Sequence, residues 1–406
     1  MHNLHCLMFG WEFPPMHSGG LGVACEGLVR GLAKNDVKIT LVLPHSGPAN
    51  APFDVRFPTQ EIATAMAVPS LLTPYDDWSS YGQRFQSMRK EAGIDELYGP
   101  DLGQAVEQFT AMSVELTKDV HPDVIHCHDW MTFGAGVRAG HYHHVPVIAH
   151  VHATEFDRTD FRPNPWIADR EREGLLQADG VIAVSRYTKN LLMREYGIPG
   201  HKIRVVHNGH EHTTARAATT LTTRRPHRPM VLFLGRMTVQ KNPMLFLDMA
   251  KRVNALRPDV TFVMAGDGPM LGQLIERACQ LGLQDHVAFA GKVSRSEAQS
   301  LFARADCFVM PSLSEPFGLV ALEAVGHGVP VILSRQSGAA EVIDHCFTVD
   351  FWDTDRMADC ILTVLREAPL ARQLRSEAPR VLQRLTWKHQ AAIVRDIYAT
   401  LSRTRS

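Results

Sequence analysis

Ser312-Leu-Ser-Glu-Pro-Phe-Gly-Leu-Val-Ala-Leu-Glu-Ala-Val-Gly-His-Gly-Val-Pro-Val-Ile332 reads as a loop, a helix and a buried strand in succession. The apolar run Asp306-Cys-Phe-Val-Met310 before it predicts another buried strand, ended by Pro311. Ser314, Glu315, Pro316 and Gly318 predict a turn, and 320–327 a helix. In such a strand–loop–helix–strand unit the loop lies at the carboxyl end of the first strand, where open α/β sheets bind ligands. A helix start there offers N–H groups and a positive dipole end, which suits a phosphate. Glu315 precedes the helix and Glu323 lies inside it, and spacing alone leaves both readable as ordinary surface acids.

The same strand–helix rhythm extends in both directions. Strands are expected at 4–9, 39–43, 124–126, 147–150, 181–184 and 203–206, with helices at 24–34, 102–117, 133–143 and 187–196. Residues 211–228, rich in Thr, Ala and Arg without an apolar face, read as an interdomain connection. The rhythm restarts with strands at 231–234, 261–265, 287–289, 307–310 and 329–333 and helices at 243–256, 270–280, 295–304 and 320–327, and 354–401 is mainly helical. The expected class is therefore α/β, two Rossmann-like domains with parallel sheets facing an interdomain cleft. The domains are set at 1–210 and 211–385, with a C-terminal helix, 386–406, packing back on the first. Residues 45–96, rich in Pro, Ser and Thr, break the rhythm and read as a long insertion beside a ligand site.

A chain of 406 residues exceeds one ordinary core, which agrees with two domains. The net charge of −1 supplies no bulk attraction for nucleic acid. Seven scattered cysteines without a C-x-x-C pair suit buried thiols in a reducing compartment, and no stretch reaches the roughly 18 apolar residues of a membrane span. The expected localisation is cytoplasmic; the oligomeric state is not legible.

Four groups fall at carboxyl ends of predicted strands. In His17-Ser-Gly-Gly-Leu-Gly22, Gly19 and Gly20 let a phosphate or sugar approach the backbone, without the G-x-G-x-x-G or Walker A pattern. In His126-Cys-His-Asp-Trp130, an acid beside an aromatic suits sugar hydroxyls and a sugar face. A metal reading of His126, His128 and Asp129 lacks a further ligand at a recognisable spacing, so no metal is expected. His152 follows the strand of 147–150 and can present an imidazole; alone it is equally readable as structural. Arg236 and Lys241, in Gly235-Arg-Met-Thr-Val-Gln-Lys241, place two cations on one loop, able to converge on a diphosphate.

Together Gly19-Gly20-Leu21-Gly22, His128-Asp129-Trp130, His152-Ala-Thr-Glu155, Gly235-Arg236…Lys241 and Glu315-Pro-Phe-Gly-Leu-Val-Ala-Leu-Glu323 resemble the signatures of retaining GT-B glycosyltransferases of family 4, in particular the bacterial glycogen/starch synthase-like branch. The resemblance runs to Trp387 and Tyr398, so it covers nearly the whole chain. It implies that Arg236 and Lys241 bind the donor diphosphate and that Glu315 lies near the donor sugar. Phe317, Gly318 and Leu319 would offer backbone N–H groups, and Glu323 would accept from the ribose hydroxyls. By the same resemblance His152 lies near the reacting carbon, Asp129 contacts sugar or acceptor, Gly20 lies near the phosphates, and the backbone of Val293 reads the base. His17 stands where the glycogen branch carries Lys, which loosens the link to true glycogen synthases. The implied reaction is transfer of a hexose, with glucose favoured, from a UDP- or ADP-sugar to a glycan acceptor. An α-glucan is the first expectation, and a small sugar, sugar phosphate or lipid-linked acceptor the alternative. No cofactor is expected beyond the donor. An epimerase on the same fold would need a group to remove a proton, and a non-catalytic relic would not need all four charged residues.

Overall fold

A computed structural model describes residues 4–14, 20–44, 51, 53–57, 102–211 and 228–405. The chain divides into two compact units, Met1–Gly209 with Trp387–Ser406, and His210–Thr386.

The first unit runs β1 (His5–Phe9), α1 (Gly20–Ala33), β2 (Lys38–Val42), β3 (Asp54–Arg56), α2 (Leu102–Met112), β4 (Val124–His128), α3 (Trp130–His143), β5 (Val147–Val151), α4 (Glu155–Arg158), α5 (Pro165–Gln177), β6 (Gly180–Ala183), α6 (Arg186–Glu195) and β7 (Ile203–Val205). Its strands form one parallel sheet in the order β3-β2-β1-β4-β5-β6-β7. The second unit runs β8 (Met230–Leu234), α7 (Pro243–Leu256), β9 (Thr261–Ala265), α8 (Leu271–Gln280), β10 (Val287–Gly291), α9 (Arg295–Arg304), β11 (Cys307–Met310), α10 (Leu319–Gly326), β12 (Val331–Ser334), β13 (Phe347–Val349), α11 (Thr354–Arg366) and α12 (Ala368–Arg384). Its parallel sheet has the order β10-β9-β8-β11-β12-β13. The last helix, α13 (Trp387–Arg405), belongs to the first unit.

This is the expected α/β class with two parallel sheets. Strands such as Cys6-Leu-Met-Phe9 and Cys307-Phe-Val-Met310 are buried throughout, as helices on both faces of a parallel sheet require. Several boundaries differ from the sequence reading for local reasons. Helix α1 starts at Gly20, because glycines that read as loop are tolerated in a first turn. Helix α2 stops at Met112, where the hydroxyls of Ser113 and Thr117 bond back to Thr110 O and Ser113 O at 2.8 and 2.7 Å. Helix α5 was not expected; Asn164 caps it and Pro165 occupies its first turn, but it buries a glutamate and little apolar surface. Strands β3 and β13, three residues each, are too short to show a period. β3 lies inside the 45–96 segment, of which residues 45–50, 52 and 58–96 fall outside the described ones.

Helix α13 crosses α1 over glycines. A Cβ at Gly27 would lie 2.1 Å from the Trp387 ring, and one at Gly31 would lie 2.6 Å from Trp387 O. Asn35 Nδ2 donates to Lys388 O at 2.9 Å, and Ser402 Oγ to Asp123 O at 3.1 Å. The close crossing predicts that Gly27→Ala costs about 1–3 kcal/mol in urea unfolding, the range for overpacked sites. Gly272→Ala, where an added Cβ meets nothing within 4 Å, is expected to be neutral or to stabilise by up to about 1 kcal/mol. Equal melts for Gly27→Ala and wild type would contradict this packing.

Candidate functional site

Each sheet has one switch point, where the chain builds outward in opposite directions from two neighbouring strands. In the second unit it lies between β8 and β11, and the loops after these strands carry Arg236, Lys241 and Glu315. The two loops are tied to each other. Leu313 N donates to Gln240 O at 2.9 Å, and Asn242 Nδ2 to Pro311 O at 3.2 Å. Lys241 closes a 3₁₀ turn, Val239–Lys241, and Asn242 turns the chain into α7 through a left-handed conformation. Lys241 Nζ thereby reaches Glu315 Oε2 in a close ion pair, and Ser312 Oγ donates to the same oxygen at 3.2 Å. The Glu315 side chain is 7% exposed and that of Lys241 23%, so the cation keeps the wetter side. The Glu315 backbone is held on both sides, by Gln336 O and Gly338 N at 2.8 and 2.9 Å.

Gly318 caps α10 at φ 100°, and an added Cβ there would lie 2.8 Å from Met310 Cε and 3.2 Å from Glu315 Cγ. A side chain would meet both a backbone conformation that L-residues avoid and the carboxylate arm it must leave room for. Phe317 is buried and Leu319 half-buried at the helix start, and Glu323 is half-buried one turn further on. Burial raises the Glu323 carboxyl above its ordinary value, with Arg295 and His327 pulling the other way. Val293, half-buried, follows β10, which is separated from β8 by β9. Lys241 and Glu315 are thus in contact, while Arg236, Phe317, Gly318, Leu319, Glu323 and Val293 are arranged along the carboxyl ends of the same sheet.

In the first unit the switch point lies between β1 and β4. Gly20 opens α1 with its surface exposed, and Gly19 and His17 lie outside the described residues. Asp129 and His152, expected as separate contacts, are joined. Asp129 Oδ1 accepts from His152 N at 2.7 Å and Ala153 N at 3.4 Å. The carboxyl is buried, which pushes it up to about 6 against the pull of Arg158, whose Nη2 lies 3.9 Å away. Asp129 also holds φ 59° and ψ 169°, a region that costs a non-glycine residue on the order of 1–3 kcal/mol. Its side chain in this structure therefore fixes the 152–153 backbone.

The rest of that loop is held as firmly. Thr154 and Asp157 form a capping box, Arg158 Nη2 donates to Ala153 O at 3.0 Å, and Glu155 N donates to both oxygens of Glu171 at 3.0 and 3.1 Å. Tyr196 and Arg158 also bond to Glu171. These supports are not legible in the sequence because Glu171 lies 13 residues from Arg158 and 25 from Tyr196, and the three meet only in the fold.

His152 has close company too. Parallel register sets His128 beside His150, so His126, His128, His150 and His152 share one buried face. His128 Nδ1 lies 2.9 Å from His152 Nε2, and His126 Nε2 3.1 Å from His150 Nδ1; Tyr398 OH meets His126 Nδ1 at 2.6 Å. Burial lowers His126 and His152 to about 3 and puts His128 and His150 well below the ordinary value, so all four are neutral near pH 7.

Residues 222–381 match the family described as Glycosyl transferases group 1, and residues 18–214 match Glycosyltransferase Family 4. An uncharacterized glycosyltransferase of Methanocaldococcus jannaschii is 30% identical over 83% of this chain and 82% of its own. A glycogen synthase of Mycobacterium tuberculosis is 27% identical over 98% of this chain and 95% of its own. The fold is similar to that of HepE of Anabaena, solved with UDP and glucose: TM-score 0.70 and 17% identity over 98% of this chain and all of that one. No helix among the described residues is long and apolar enough to cross a membrane.

The histidine face predicts a sharp acid limit. An unfolded histidine takes a proton near 6.5, whereas these four stay neutral when folded. Their contribution is therefore complete above about pH 6.5 and is lost as pH falls towards 3, by about 1.4 kcal/mol per pH unit for each histidine. Asp129 has the opposite sign: its raised carboxyl favours the fold at low pH, and that contribution is lost as pH rises through about 6. Urea midpoints measured from pH 7 to 4.5 are expected to fall steeply below 6.5, and His126→Phe is expected to reduce the slope by about one proton. An unchanged slope in that variant would refute the assignment.

Proposed function

Since the chain belongs to the GT-B glycosyltransferases of the family 4 type, we propose that it moves a hexose, glucose by preference, from a nucleotide-diphosphate sugar to a glycan acceptor with retention of configuration. The observation that carries this reading is the Lys241–Glu315 pair, which ties together two loops at the β8/β11 switch point and sets Arg236 on one of them. Breaking the bond from sugar C1 to phosphate oxygen gathers negative charge on the diphosphate while the sugar becomes oxocarbenium-like. Arg236, Lys241 and the start of α10 would meet that charge, and groups already in place stabilise the transition state more than the ground state. Lys241 is held by Glu315 before any donor arrives, so its ammonium needs little reorganisation, and Glu315 keeps a carboxylate near the sugar. Glu323 would accept from the ribose hydroxyls, and backbone groups at Val293 would read the base, leaving UDP and ADP both open as donors.

In the first unit His152 would meet the sugar as a neutral imidazole, a hydrogen-bonding partner rather than an acid. Asp129 would act by holding the His152 backbone, and Gly20 would lie near the phosphates. No step calls for a metal ion. The likeness to a glycogen synthase along almost the whole chain supports an α-glucan acceptor, with sugar phosphates and lipid-linked sugars as the other acceptors to try.

The test is release of nucleoside diphosphate from UDP- and ADP-sugars, with and without glycogen, maltooligosaccharides or a sugar phosphate. Acceptor-dependent release is expected, and Arg236→Ala and Glu315→Gln are each expected to lower it by about 10²-fold or more, as for other preorganised charge-stabilising groups. Glu323→Ala is expected to raise donor KM by about 10-fold or more, since a hydrogen bond to a charged group is worth about 1.5–3 kcal/mol. Unchanged transfer in both Arg236→Ala and Glu315→Gln would sink the proposal.

A further inference from the structure

The histidine face of the first unit carries buried ring nitrogens that its own hydrogen bonds do not satisfy. His128 Nε2, His150 Nε2 and His152 Nδ1 are buried with no hydrogen-bond partner. Tautomers do not remove the problem for the His128–His152 pair. Two neutral rings share two N–H groups among four nitrogens, and the 2.9 Å bond between them uses one N–H and one lone pair. Whichever ring donates, one N–H and one lone pair remain at His128 Nε2 and His152 Nδ1. Next to these rings α1 places the Cys25 thiol, and one ligand atom from each of Cys25, His128 and His152 lies within 4.8 Å of the others.

We propose that Cys25, His128 and His152 form a binding site for a thiophilic divalent metal ion of the zinc class. Two imidazoles and one thiolate are a donor set that zinc takes readily, with a fourth position left for water or a further group. The 2.9 Å approach of His128 Nδ1 to His152 Nε2 is near the separation of about 3.3 Å between two nitrogens on one tetrahedral ion with bonds of about 2.0–2.1 Å. Coordination through His128 Nδ1 and His152 Nε2 breaks that hydrogen bond, moves one ring proton, and leaves an N–H on His128 Nε2 and on His152 Nδ1. All three side chains are more than nine-tenths buried, so their positions are set by α1, β4 and the loop after β5 before an ion arrives. Burial, with Asp129 and Glu12 nearby, keeps Cys25 protonated when the site is empty. Binding therefore sends the thiol proton to solvent, and affinity falls as pH is lowered. Spacing along one strand does not show this set, because it converges from a helix, a strand and the loop after the neighbouring strand. An ion here would withdraw His152 from the sugar contact proposed above; the binding itself does not depend on that reading.

The experiment is a titration of chelator-stripped full-length protein with Co2+ and Zn2+. Wild type is expected to bind one equivalent of Co2+ with a thiolate-to-cobalt charge-transfer band in the near ultraviolet. Cys25→Ser is expected to lose that band, and His128→Gln to weaken Zn2+ binding at least tenfold in competition with a chromophoric chelator. Circular dichroism checks that both variants fold. If they do not, X-ray absorption on zinc-loaded wild type decides: one sulfur with two or more nitrogen or oxygen neighbours supports the site. A sulfur-free shell, no cobalt band in wild type, a band that persists in Cys25→Ser, or Zn2+ affinity unchanged in both variants overturns it.

Discussion

Parallel pairing of β1 with β4 and of β8 with β11 is the constraint on which both candidate sites depend. A strand whose two neighbours are reached by crossovers in opposite directions leaves a crevice at its carboxyl end that no helix covers. Every expected contact residue that the structure describes follows a strand at this end or lies on the helix begun there. The sheet thus gathers residues far apart in sequence, and local bonds then set their geometry.

The two units do this differently. In the second, the β8 and β11 loops bond to each other, and the pair that holds them is itself proposed to act on the donor. Lys241 and Glu315 are charged and mostly buried, an arrangement that costs desolvation unless the partners are close and further bonded, as Ser312 bonds Glu315 here. In the first, the loop of 152–155 is fixed by residues that play no proposed part in the chemistry: Asp129, Arg158, Glu171 and the capping box. This support leaves the His152 ring as the group that is positioned but not saturated.

Helix α13 adds a second kind of tie. Trp387 sits on α1 glycines, and Tyr398 reaches the sheet to bond His126, so the end of the chain closes over the histidine face of the unit that begins it. A face of four neutral imidazoles is costly to bury, and its cost depends on pH.

Much of this was legible from local pattern. Alternating apolar strands and helices determined the α/β class and the two sheets, since burial on both faces leaves a continuous apolar run in central strands such as β1, β8 and β11. Gly235-Arg236…Lys241 and Glu315…Glu323 were recognisable because each set lies within one short stretch of sequence, whereas the contact between Lys241 and Glu315 is made only in the fold. Pattern did not reveal helix α5, strands β3 and β13, the fixing role of Asp129, or the convergence of Cys25 with His128 and His152. Those depend on parallel register and on helix packing across the sheet, which join residues such as Cys25 and His152 through space, where no spacing rule along the chain can reach.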